Sequence, residues 1–138
     1  MNRSYPLLFV EGHKSDRLLL QNALGRCGYG LDALVCASAE EALDHLNHAA
    51  VPELIVTAVS LPDMDSDAFL HQLYAHPRAR LVPVVLWGKR EELSAHAGDR
   101  QVLTGLSPLQ VEKGETLGEY IRGLQALLDQ CMCQRLSA

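Results

Sequence analysis

Carboxylate, imidazole and thiol groups are the reactive material of this chain, and their spacing limits what they can do. Glu11 follows a short apolar run and stands two residues before His13, so an acid and an imidazole share one loop. Asp63 and Asp65 flank Met64 in a turn-rich patch. A carboxylate in such a place can be a nucleophile, a metal ligand or a helix cap. An apolar helical pattern follows Asp65, which suits it to capping. His45 and His48 are three apart on a helical stretch and share a face. No acid or cysteine is spaced to complete a metal site with them, so they read as solvated surface histidines, and His71, His76 and His96 carry no pattern. Of the four cysteines, only Cys131 and Cys133 are close, at a spacing wrong for a zinc knuckle. Gly28-Tyr29-Gly30 joins a helix to a strand, so its amides are not arranged to cradle phosphate. These residues call for no metal and no cofactor.

The elements that must position such groups follow from hydrophobic pattern. The chain has 138 residues, enough for one domain, and 48% of them are hydrophobic, enough for a sizeable core. Its net charge of −5, with no basic cluster, argues against electrostatic nucleic-acid binding. No apolar run approaches the roughly 20 residues that span a membrane, and nothing resembles a leader peptide. The expectation is a cytoplasmic protein.

Leu7 to Val10 reads as a buried strand. Ser15 is the expected N-cap of a first helix that runs to Cys27, where Gly28 stops it. Leu31 to Val35 reads as a second strand. Ser38 caps a second helix and Glu41 completes a capping box. The run Leu54-Ile55-Val56 after Pro52 suits a central parallel strand, apolar on both faces. Asp65 or Ser66 starts a third helix that ends before Pro77. Pro83 to Trp87 is a fourth strand, and Lys89 to Ala97 a short helix closed by Gly98. Gln101 to Leu103 is the expected fifth strand, followed by a long loop from Pro108. A last helix runs from about Thr116 to Cys133. Strand and helix alternate five times, which predicts an α/β fold of the flavodoxin-like kind: a doubly wound, five-stranded parallel sheet, (βα)5, in three α/β/α layers. Residues 1–138 read as a single domain. Its core covers about 6–128, with 129–138 a tail or the start of a linker.

The sequence resembles a response-regulator receiver domain (CheY-like) over about Pro6 to Leu128. LLFVEGHKSDRLLLQNAL resembles the first strand, acidic loop and first helix, and GYGLDALVCASAEEALDHL the second strand and helix. PELIVTAVSLPDMDSDAFL resembles the third strand and its loop, PVVLW the fourth strand, and Ser107-Pro108 falls where that family has Lys-Pro. The family transfers a phosphoryl group from a phosphohistidine partner to an aspartate. That chemistry needs a carboxylate nucleophile, acids for a magnesium ion, and a lysine and a hydroxyl for the phosphoryl oxygens.

The resemblance places these roles position by position. The nucleophile falls on Ala58. The acidic pair falls on Glu11 and Gly12, the hydroxyl on Gly88 and the lysine on Ser107. The aromatic switch falls near Thr104. Only Glu11 keeps the family's residue type, so the resemblance implies a degenerate pseudo-receiver: no catalytic residue, no bound metal, and a vestigial pocket. His13 and Trp87 are expected at its mouth. It implies a protein partner in a two-component or phosphorelay setting, such as a signalling kinase, regulator or output domain. It also implies a possible homodimer through the helix 4–strand 5–helix 5 face. Ala58→Asp alone is not expected to restore phosphorylation. Two other readings remain open: a flavodoxin-like module for a nucleotide or other small molecule, and an active receiver using Asp63 or Asp65 as acceptor.

Overall fold

The computed structural model describes residues 5–49, 51–97, 109–114 and 116–136. Ten elements alternate along the chain: β1 (Leu7–Val10), α1 (Lys14–Arg26), β2 (Ala33–Cys36), α2 (Ala39–His48), β3 (Leu54–Thr57), α3 (Ser66–Ala75), β4 (Val84–Gly88), α4 (Arg90–Ala97), β5 (Leu109–Glu112) and α5 (Leu117–Leu136). The strands form one parallel sheet in the order β2-β1-β3-β4-β5. This is the doubly wound arrangement expected from the sequence. The order in which strands are added reverses between β1 and β3, and the crevice at such a switch point is where open α/β sheets hold their chemistry.

Alternation along each strand sorts the core into two layers. Leu8, Val10, Ile55, Val84 and Leu86 face α2 and α3, where Ala42, Leu46, Phe69 and Leu73 meet them. Leu7, Phe9, Val56, Val85 and Trp87 face α1 and α5, against Leu20, Leu24, Tyr120 and Leu124. β1, β3 and β4 are buried throughout, which is why their sequences are apolar runs, broken only by Thr57 at the end of β3, whose Oγ1 donates to Ala58 O. Edge strand β2 is only half buried.

Helix ends follow the local chemistry with one exception. Ser38 Oγ accepts from Glu41 N–H at 3.1 Å, and Glu41 Oε2 accepts from Ala37 N–H at 3.0 Å. Asp65 Oδ1 accepts from Ala68 N–H at 2.8 Å and caps α3. Gly28, with φ +84°, ends α1. The expected Ser15 cap is corrected: α1 starts at Lys14, and His13 is the N-cap with no side-chain bond. Arg17 takes over the anchoring from one turn inside the helix, its Nη1 donating to the carbonyls of Glu11 and Gly12 at 3.1 and 2.8 Å.

The fifth strand is the other correction. Gln101 to Leu103 and Gly98 lie outside the described residues, and the strand that pairs with β4 is Leu109–Glu112. The stretch expected as a long loop from Pro108 therefore contains β5. Thr116 then caps α5, its Oγ1 accepting from Glu119 N–H at 3.1 Å.

Candidate functional site

Four strand ends converge on one cleft of about 510 Å3. Parallel pairing fixes their heights: Ala58 N–H donates to Val10 O at 2.9 Å, and Lys113 N–H to Gly88 O at 2.8 Å. Glu11 leaves β1, Ala58 leaves β3, Gly88 ends β4 and Lys113 follows β5. Of the expected pocket residues, the structure brings Glu11, Gly12, Ala58 and Gly88 to this edge. Ser107 and Thr104 lie outside the described residues.

The expectation that the pocket has no lysine is corrected. Lys113 stands at the end of β5 and its Nζ lies 2.8 Å from Glu11 Oε1. Both side chains are nearly sealed from water, at 12% and 6% exposure for Lys113 and Glu11. The strand that pairs with β4 ends at Glu112, so the lysine at this strand end is Lys113, six residues beyond Ser107. The sequence signal for Lys113 was an alternating strand, Leu109 to Glu112, just ahead of a Thr-x-x-Glu helix start.

Trp87 lies in the α1/α5 core, 4% exposed, with its ring centroid 6.4 Å from Phe9 and 4.9 Å from Tyr120. It does not line the cleft, contrary to the expectation from sequence, and touches it only through Lys113, whose Nζ lies 5.5 Å from the ring centroid, within cation–π range. Burial, and then the charges of Glu11 and Asp16, push the Tyr120 phenol up, so it stays protonated. His13 is exposed at the cleft rim, and its backbone N–H points at Glu11 Oε2 at 3.5 Å.

Two glycines are closed off. A Cβ at Gly12 would lie 2.5 Å from Pro62 Cδ, and one at Gly88 would lie 2.8 Å from Val59 Cγ2. The loop after β3 thus crowds any side chain placed at either position. Ala58, 9% exposed, presents only a methyl group.

Magnesium takes about six oxygens in near-octahedral geometry. The donor set here does not fit it: Glu11 is already bonded to an ammonium, Gly12 has no side chain and no room for one, and Ala58 has no oxygen on its side chain. Asp63 and Asp65 do not replace them. Asp63 holds the start of α2, accepting from Ala39 N–H at 3.1 Å and Glu40 N–H at 2.8 Å, and Asp65 caps α3. What little burial Asp63 has would raise its carboxyl, but the backbone N–H bonds from Glu40, Ala39 and its own amide win and hold it below the usual value. A more open groove of about 700 Å3 between α2 and α3 is lined by Asp63 together with Ser38 and Glu41 of the α2 start.

His48 bonds within its own helix through Nδ1 to Asp44 O at 2.8 Å. His76, patternless in sequence, ties the turn after α3 to the last turn of α2. Its Nδ1 accepts from Arg78 and Ala79 N–H at 3.0 and 3.1 Å, so Nε2 carries the proton and donates to Asn47 Oδ1 at 2.8 Å.

Sheet order and this strand-end cleft define the fold of response-regulator receiver domains. The cyanobacterial phytochrome response regulator RcpA, in its phosphorylated form, matches with TM-score 0.73 at 20% identity, over 94% of this chain and 95% of that one. The chemotaxis response regulator CheY4 of Vibrio cholerae matches with TM-score 0.68 at 19% identity, over 91% and 100%. The receiver domain of the Pseudomonas aeruginosa sensor histidine kinase PA1611, with magnesium in its active-site cleft, matches with TM-score 0.68 at 20% identity, over 93% and 97%. No family model and no curated protein matches the sequence. Among the described residues, no helix is long and apolar enough to cross a membrane.

Proposed function

We propose that this chain is a receiver-like signalling domain that is not phosphorylated, is not an enzyme, and acts by contact with a protein partner in a two-component or phosphorelay pathway of the cytoplasm. One observation carries the reading. At the strand end where a phosphoryl acceptor would stand there is a methyl group, Ala58, while the lysine and the acid of the cleft are bonded to each other. A nucleophile would have nothing to polarise the phosphoryl oxygens, because Lys113 is already committed and Gly88 carries no hydroxyl.

The face formed by α4, β5 and α5 is the proposed contact surface, including for a homodimer. Its strand is Leu109–Glu112 in place of the expected Gln101 to Leu103. Exposed Arg90 and Glu112 mark its polar part, 3.4 Å apart between Nε and Oε1.

The test uses acetyl phosphate with magnesium and intact-mass detection. Neither the natural chain nor Ala58→Asp is expected to gain a phosphoryl group. Labelling of the natural chain would sink the reading, and robust labelling of Ala58→Asp would sink the argument that the cleft no longer supports the reaction. Light scattering and pull-down with and without charge-reversing changes at Arg90 and Glu112 test the contact face.

A further inference from the structure

The family whose fold this is places a divalent metal beside the acid after β1, and the residues here do not fit one. We infer that the Lys113 ammonium is the resident cation of the cleft: it holds Glu11 in the metal's stead and keeps the ends of β1, β4 and β5 in one arrangement that magnesium does not change. The inference rests on the non-phosphorylated reading and deepens it, since it states how the site is regulated, namely not by metal.

The geometry gives three reasons. Glu11 is 4% exposed, and a buried carboxylate without a partner is strongly disfavoured, so the 2.8 Å contact to Lys113 stays made. Lys113 is fixed from several sides, by its N–H on Gly88 O, by the β4–β5 pairing that ends beside it, and by the Trp87 ring under its Nζ. A divalent ion would need to displace this ammonium and find further oxygens, yet Pro62 and Val59 fill the places where side chains at Gly12 and Gly88 would supply them. Asp16, Glu91 and Glu92 line the outer opening, but Glu92 Oε1 already accepts from Lys89 N–H at 3.0 Å. Among the described residues no three metal-binding side chains come together.

Trp87 is the only tryptophan in the chain, so its fluorescence reports on this cleft alone. The full chain is titrated with magnesium chloride against potassium chloride of equal ionic strength, then with beryllofluoride. The expected result is no saturable change in emission. Lys113→Met should shift Trp87 emission at once, because the ammonium over the ring is gone, and should still show no saturable response to magnesium, because Glu11 alone does not supply the oxygens a divalent ion needs. Glu11→Gln, which keeps the shape and removes the charge, supplies the proof of probe sensitivity if Lys113→Met does not fold: its Trp87 emission should shift and ignore magnesium. A saturable magnesium response in the natural chain overturns the inference, as does Trp87 emission that is unmoved in the folded variants. Intact mass from the same samples separates the two claims. Magnesium response without a phosphoryl adduct defeats the resident cation alone, and an adduct defeats the non-phosphorylated reading as well.

Discussion

Two groups of carboxylates lie at the same edge of the sheet and are used in opposite ways. Glu11 is buried, and one lysine 102 residues away in sequence satisfies it. Asp63 and Asp65 are exposed, and backbone N–H groups of helix starts satisfy them. The first arrangement depends on four strand ends meeting; the second needs a helix start and an acid within reach. The difference shows why neither group is free for chemistry. A carboxylate does what its strongest available donor allows, and here each has one.

Breaking the buried side of the comparison should have the largest effect. Lys113→Ala leaves Glu11 charged and unpaired and should cost about 3–5 kcal/mol in urea unfolding. Glu11→Gln with Lys113→Met should recover most of that, since a well-packed pair without charge avoids the desolvation cost. A double variant as unstable as the single one would mean that Lys113 matters through packing and not through Glu11.

Gly88→Ser probes the closure around the same pair. Its side chain would meet Val59, and overpacking of this kind should cost roughly 1–3 kcal/mol. Val59→Ala in the same chain should return part of it. If Gly88→Ser is neutral by thermal melting, the loop after β3 yields more easily than its contacts indicate.

On the exposed side, Asp63→Ala should cost about 1 kcal/mol, the usual loss for a helix cap. Its pH dependence has a definite sign. The folded carboxyl sits below its ordinary value of 3.8, so the contribution is present above that value and is lost as pH falls through the lower, folded one. Natural chain and Asp63→Ala should therefore converge in stability toward strongly acid pH. Parallel curves would mean that Asp63 acts through something other than its charge.

The smallest effect is expected for Asp65→Asn. Asparagine caps nearly as well and loses only the charge–dipole attraction, about 0.3–1 kcal/mol at low salt. Added salt should shrink that difference while leaving the cost of Lys113→Ala largely intact, because buried pairs are screened far less than exposed ones.

Most of the fold was legible because buried parallel strands are written as continuous apolar runs and helix starts as capping residues. Leu7 to Val10, Leu54 to Val56 and Pro83 to Trp87 were found on the first ground, Ser38 and Asp65 on the second. The first helix began one residue ahead of Ser15 because an arginine inside the helix, Arg17, could hold the loop carbonyls. β5 was missed because Leu109 to Glu112 alternates apolar and polar residues, as a strand at the sheet edge can, while Val102-Leu103 lies nearer the previous helix and looks more apolar.

Ala58, Gly12 and Gly88 were legible as strand-end positions without a reactive side chain. They sit in stretches whose local pattern fixes their strand positions, and a missing side chain needs no partner to be recognised. Lys113 was not legible as a gain. Nothing near it in sequence mentions Glu11, Trp87 or Tyr120, and its meaning comes only from the order β1-β3-β4-β5 that brings their ends together. Sequence by itself determined the alternation of elements, the two-sided core and the bare methyl group of Ala58 after the third strand, because these depend on periodicity and residue type. Only the tertiary structure decided that the remaining acid is neutralised from within and that Pro62 and Val59 have closed the space beside it, because contacts between distant segments depend on how the strands are ordered and where each one ends.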